Sequence, residues 1–176
     1  MKKTLLTLTT ALLSTALLIT ALNLHAAGST AAATMLLFEQ VSESGSLVPL
    51  DSQHGIYRLT LHTPNPFITY FSEAPNRYTG MMPLSEFFQH WNKGNIFKQQ
   101  FKPNAALEAF DTTTKIHVNR TLKLSDPTYN AKTQTVTYKV TLLGNQGLPN
   151  AKIHLGYTVL FIDDFHWSGD KFHHGG

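Results

Sequence analysis

The last fourteen residues, DDFHWSGDKFHHGG, interleave three acids with three histidines: Asp163, Asp164 and Asp170 with His166, His173 and His174. These are ligand types for Zn²⁺ or Cu²⁺. His166, His173, His174 and Asp164 are the candidate metal ligands. Ordered metal sites draw ligands from several rigid elements, and these all lie on one terminal segment past the last apolar period. The expectation is therefore a solvated end that binds Zn or Cu weakly if at all, with no resident cofactor.

A second pair, Glu86 and His90, stands one helical turn apart and could act as acid and base or as paired ligands. The same spacing serves a surface contact worth about 0.3 kcal/mol. The stretch FSEAPNRYTGMM is the strongest binding candidate. It places Glu73, Arg77, Tyr78, Met81 and Met82 between a strand and a helix, where loops on a rigid scaffold carry recognition. A structural alternative has Arg77 paired with Glu73 while Tyr78 and the two methionines plug an open sheet edge.

Several chemistries lack their residues. The chain has no cysteine, so thiol catalysis, disulfides and a lipid-anchoring Cys are excluded. It has no G-x-S-x-G, no H-E-x-x-H and no Gly-rich phosphate loop. Asn119-Arg120-Thr121 matches a glycosylation sequon but is read as chance in a chain with a bacterial type of leader.

That leader begins with Lys2 and Lys3. An apolar stretch from Leu5 to Leu22 follows, and the small residues Ala26, Ala27 and Gly28 end it. The order predicts a cleaved export signal over 1–28 and a flexible leader over 29–34. Its rival, a membrane anchor, has the length but is diluted by Thr and Ser. Cleavage would take the 14 basic residues to 12 against 11 acidic ones, a net charge of about +1. With no Lys/Arg run, nucleic acid is not an expected partner, nor is a membrane once the signal is gone.

The elements that must position these residues follow a period of two. TVTYKVTLLG turns Val136, Tyr138, Val140 and Leu142 to one face, and YRLTLHT does the same with Tyr57, Leu59 and Leu61. KIHVNRTLKLS aligns Ile116, Val118, Leu122 and Leu124, with Arg120 in the same phase. A buried unpaired charge is too costly to persist, so Arg120 should be partly buried with a partner or turned out by a bulge. MLLFEQV, FITYFS, AALEAF and YTVLFI complete seven strands. The last, nearly continuously apolar, suits a strand covered on both faces. SDPTYNAKTQ reads as a long hairpin loop. In MMPLSEFFQHWNKG, Leu84, Phe87, Phe88 and Trp91 share a helical face, with Pro83 at the start and Gly94 past the end. The prediction is an antiparallel β-sandwich of about seven strands over 35–165, one packed α-helix at 83–93 and a polar tail over 166–176.

Tyr70, Phe71, Ser72, Glu73, Pro75 and Arg77, then Phe87, Trp91 and Gly94, then Pro103, Asn104, Ala105 and Leu107 form a pattern over roughly 58–163. It resembles an uncharacterised family of small exported bacterial β-sandwich proteins. That family commonly has Asp-Arg-Pro where Glu73-Ala74-Pro75 stands here. The resemblance implies export and fold but no activity. The functional expectation is a periplasmic or secreted binding protein for a protein or glycan ligand. The alternatives are a histidine-based periplasmic metal binder and, last, a hydrolase.

Overall fold

The structure is a computed structural model that describes residues 35–72, 74, 77–97, 102–144 and 150–163. Among these residues it contains nine strands and one helix: β1 (Leu36–Ser42), β2 (Ser44–Asp51), β3 (Ile56–His62), β4 (Phe67–Ser72), β5 (Thr79–Pro83), α1 (Leu84–Asn92), β6 (Asn104–Asp111), β7 (His117–Asn130), β8 (Thr135–Leu142) and β9 (Ile153–Ile162). The mainly β reading with one short helix holds. The sandwich does not: the strands run β2-β3-β8-β7-β6-β9, and β9 returns to β2, which closes a six-stranded antiparallel barrel. β1, β4 and β5 extend from β9 as an open wing.

Closure depends on β9. One edge pairs with β6. The other pairs with β2 through Ile153 to Leu155 and with β1 through Thr158 to Ile162. β1 and β2 are successive segments of chain bent at Glu43, so one long course leaves the wing and enters the barrel wall. Gly45 sits at this corner, and a Cβ there would lie 2.5 Å from the Thr60 carbonyl oxygen. Only a residue without a side chain lets β2 and β3 approach that closely.

Register shifts supply the wall's curvature. One lies in β7, where Ser125 faces Lys139 and Thr128 faces Thr137, with Asp126 at φ 50° between them. The segment expected to be a long loop is thus mostly strand: β7 runs through the bulge to Asn130, and four residues make the turn. The bulge also swaps the inward phase from Leu122 and Leu124 to Ser125 and Pro127. A second shift leaves an extra residue in β9 opposite Phe110, so Tyr157 points outward.

The inward sets Tyr57, Leu59, Leu61 and Val136, Tyr138, Val140 are buried as their spacing requires. Three details differ from expectation. β9 is covered on one face only, since Tyr157 and Phe161 are exposed. Ile116 precedes β7 and is exposed. β2 and β5 are additional strands, one interrupted by Pro49 and the other only five residues long.

Arg120 is half-buried on the inner phase of β7. Its Nη1 donates to the Asn119 carbonyl at 2.6 Å, two residues before Thr121 accepts from Leu143 as β8 leaves the wall. Its Nε has no partner among the described residues.

α1 matches its predicted limits to within a residue. Pro83 is the N-cap, and Gly94 at φ 71° follows the C-terminal residue Lys93. Gly94 N donates to Trp91 O and Asn95 N to His90 O, both at 2.9 Å, which satisfies the last carbonyls as a Schellman end does. The buried face meets rings from three strands. Phe87 lies 5.0 Å from Phe38, Phe88 lies 6.0 Å from Tyr129, and Trp91 lies 5.9 Å from Tyr138 and 4.5 Å from Phe97. Each large ring buried this way contributes about 1.5–3 kcal/mol.

Candidate functional site

Alternation along β5 separates the two methionines. Met82 faces inward beside Ile68 and is buried in the core. Met81 is 68% exposed, the largest value among the exposed large hydrophobic residues. Arg77 and Tyr78 are exposed, with Arg77 at φ 47°. The hairpin entry is held by Ser72: its N–H donates to the Tyr78 carbonyl at 2.8 Å, and its Oγ accepts from the Tyr78 N–H at 2.7 Å. Glu73 lies outside the described residues, so its pairing with Arg77 is not part of this geometry.

Met81 is one end of a row. The register sets it opposite Thr69, Thr69 opposite Glu39, Glu39 opposite Phe161, and Phe161 opposite Ala106. Neighbouring positions on the same outer face add Phe67, Phe71, Leu37, Val41 and Val159. Phe67 is 43% exposed and Phe161 38%. The wing therefore carries a largely apolar outer face with one carboxylate, Glu39, near its middle. β5 ends the sheet order among the described residues. Because Tyr78 and Leu84 share backbone bonds with β4, the alternation turns the amides of Thr79 and Met81 away from it.

Glu86 and His90 come together as their spacing predicts, with His90 Nε2 at 3.6 Å from Glu86 Oε1. The Asn95 side-chain amide lies 3.2 Å from His90 Nδ1 on the other side of the ring. With Ser85 and Gln89 they line a shallow, open depression of about 550 Å³ on the outer side of α1. Nothing there excludes water, and the Ser85 hydroxyl has no hydrogen bond to His90 among those of the described residues.

The metal candidates Asp164, His166, His173 and His174 lie outside the described residues. Among the described residues no three His, Asp or Glu side chains gather as a metal centre would require.

The spacing along single strands did not reveal two clusters that span strands. Glu108 on β6 holds two β7 neighbours: it accepts from Asn119 Nδ2 and lies 2.8 Å from His117 Nε2. The second is on the opposite wall, where Arg58 of β3 stands directly across from Lys139 of β8. Only the register could place either. Inside the barrel, Tyr138 Oη donates to Gln40 Oε1 at 2.7 Å, Gln40 Nε2 donates to Thr63 Oγ1 at 3.3 Å, and Ser42 Oγ lies 2.9 Å from Thr63 Oγ1. Burial raises the Tyr138 phenol well above its ordinary range. On the surface, a hydrogen bond from His54 holds the Asp51 carboxyl below its usual value, and one from Thr114 does so for Asp111.

Comparison with protein-family models, with curated proteins and with solved structures gives no match.

Proposed function

We propose that the protein is exported and acts by binding, engaging a protein partner through the outer face of the wing formed by β5, β4, β1 and β9. The observation that carries this is the largely apolar outer face on which Met81, Phe67 and Phe161 are exposed, on one side of a sheet that ends in the short strand β5. Monomeric surfaces scatter exposed apolar side chains singly, and contiguous patches mark interaction sites. Met81 is a soft, adaptable contact, Tyr78 at the hairpin brings a ring with a polar tip, and Glu39 would meet a donor on the partner. The Lys2-to-Gly28 pattern and the resemblance across Tyr70 to Leu107 support export to the periplasm or beyond.

Site-specific photocrosslinking tests the face. A crosslinker at position 81 should give a discrete adduct in the native envelope or medium, one at Thr137 on the opposite wall should not, and Phe67→Ser with Phe161→Ser should abolish the position-81 adduct. Equal adducts from positions 81 and 137, or an adduct insensitive to the two serines, would remove the wing from consideration.

A further inference from the structure

The outer side of β5 is a strand edge with main-chain groups to spare. Tyr78 and Leu84 bond to β4, so by alternation Gly80 and Met82 bond to it as well, and Thr79, Met81 and Pro83 turn their main-chain groups away. Among the described residues the amides of Thr79 and Met81 have no hydrogen bond, and β5 is the last strand in the sheet order. Folded proteins guard such edges with charges, bulges or a cover, because an open ladder templates a further strand. β5 carries no such charge: from Tyr78 to Ser85 the chain has no Lys, Arg, His, Asp or Glu. Its register with β4 has no bulge either.

The strand that these groups fit is β5 itself. Two copies run antiparallel about a two-fold axis at Gly80 set Thr79 of each opposite Met81 of the other. Each outward N–H then meets an outward carbonyl, and each of these carbonyls meets an N–H. Moving the axis to Met81 would set Thr79 opposite Pro83, which has no N–H to return. Gly80 suits the axis, because the close pair there sets the two Cα atoms about 4.5 Å apart with no side chains between them. The glycine is already required on the inner side, where a Cβ would lie 2.5 Å from Tyr70 Oη.

Charge at the two ends of the strand matches the same axis. Arg77 precedes β5, and Glu86 stands in the first turn of α1 just past its other end. Arg77 and Pro83 are roughly 20 Å apart at about 3.3 Å per residue. Both Arg77 and Glu86 are exposed; Arg77 is in no ion pair among the described residues, and Glu86 reaches only His90, at 3.6 Å. The two-fold sets Arg77 of each copy opposite Pro83 of the other, at the end where that copy's Glu86 lies.

We propose that the protein forms a two-fold dimer by antiparallel pairing of β5 with β5 of a second copy, centred on Gly80, with Arg77 of each copy beside Glu86 of the other. The two wings become one continuous sheet. An unrelated extended peptide would find the same amides but not the matched ends. The joint is short, so the dimer is reversible and its population follows concentration. It uses the edge of the wing rather than its outer face and stands independently of the partner proposed above. A self-adduct at position 81 has twice the chain's mass and is told from a partner's adduct by that mass.

Sedimentation velocity of the purified protein between about 1 μM and about 1 mM tests this. Monomer should pass to dimer, with no larger species. Thr79→Lys with Met81→Lys sets like charges directly opposite across the seam and should abolish the dimer. Thr79→Lys with Met81→Glu sets opposite charges there and should restore it, which also shows that substitution at these two exposed positions leaves the fold intact. Arg77→Glu should weaken the dimer about tenfold, and adding Glu86→Arg should recover it. A protein that stays monomeric throughout overturns the proposal. So does association indifferent to the paired lysines, or a lysine-glutamate pair as inactive as the lysine pair.

Discussion

Replacing Tyr138 by Phe removes a single oxygen from the barrel interior. The ring stays, with its contacts to Phe88 and Trp91 at 5.9 Å, so almost no apolar packing is lost. What is lost is the one phenolic donor to Gln40 Oε1, and Gln40 is fully buried. An acceptor left dry and unpaired costs about 1–3 kcal/mol, more than the roughly 1 kcal/mol net worth of the bond itself. Tyr138→Phe should therefore lower stability by about 2 kcal/mol in urea unfolding followed by circular dichroism, with an unchanged m-value. Gln40→Met alone should also destabilise, because it orphans the phenol. The double variant should cost less than the sum by about 1 kcal/mol, since neither polar partner is then left behind. Ionisation gives a second readout. The folded phenol is held protonated above its usual range, while the unfolded phenol ionises near pH 10. Stability should be unaffected by this group below about pH 10 and fall as pH rises beyond it. The Phe variant should lack that share of the alkaline loss. A cost under about 0.5 kcal/mol with the alkaline slope intact would refute the reasoning, because that is the size of an ordinary surface change.

Trp91→Ala should cost about 3–5 kcal/mol by the same assay, since the ring is only 9% exposed and packs edge-on to Phe97; an unmoved urea midpoint would contradict this. Gly45→Ala should cost about 1–3 kcal/mol or prevent barrel closure, because its Cβ meets a backbone carbonyl that cannot rotate away; parent-like melting would show that the corner can yield. Asp111, whose carboxyl is held down by Thr114 and the Thr113 amide, favours the folded state above the unfolded carboxylate pKa of about 3.9 and loses that contribution as pH falls through its lower folded value. Asp111→Asn should accordingly narrow the gap in melting temperature between pH 7 and pH 3, and an unchanged gap would count against it. Intact mass of protein recovered from the envelope or medium should start between Ala27 and Thr34; a full-length membrane-embedded product would end the export reading.

α1 was legible because helix ends are local: Pro83, the apolar face and Gly94 lie within one stretch of chain. The strands with strict alternation, β3 and β8, were equally plain. β2 was hidden by Pro49 and by Gly45, which reads as a turn residue but serves a close crossing. Barrel and sandwich could not be told apart, because an inward-facing period of two is common to both, and closure rests on β9 pairing with two segments at once. Alternation assigned Met81 and Met82 to opposite faces only once β5 was known to be a strand. The outer surfaces were least visible. Arg58 and Lys139 are far apart in the chain, and only their pairing sets two cations side by side.

The double duty of β9 also bears on how the chain is made and delivered. Phe38 near the start of the described chain pairs with Ile162 near its end, and Leu47 pairs with Ile153. Closure of the wall needs the chain from β2 through β9, so it waits for β9 and must assemble distant segments, which slows folding. A barrel that forms only when β9 arrives is a poor obstruction in a narrow conduit. Under the export proposed above, the chain would cross a pore as an open thread and acquire its rigid walls on the far side.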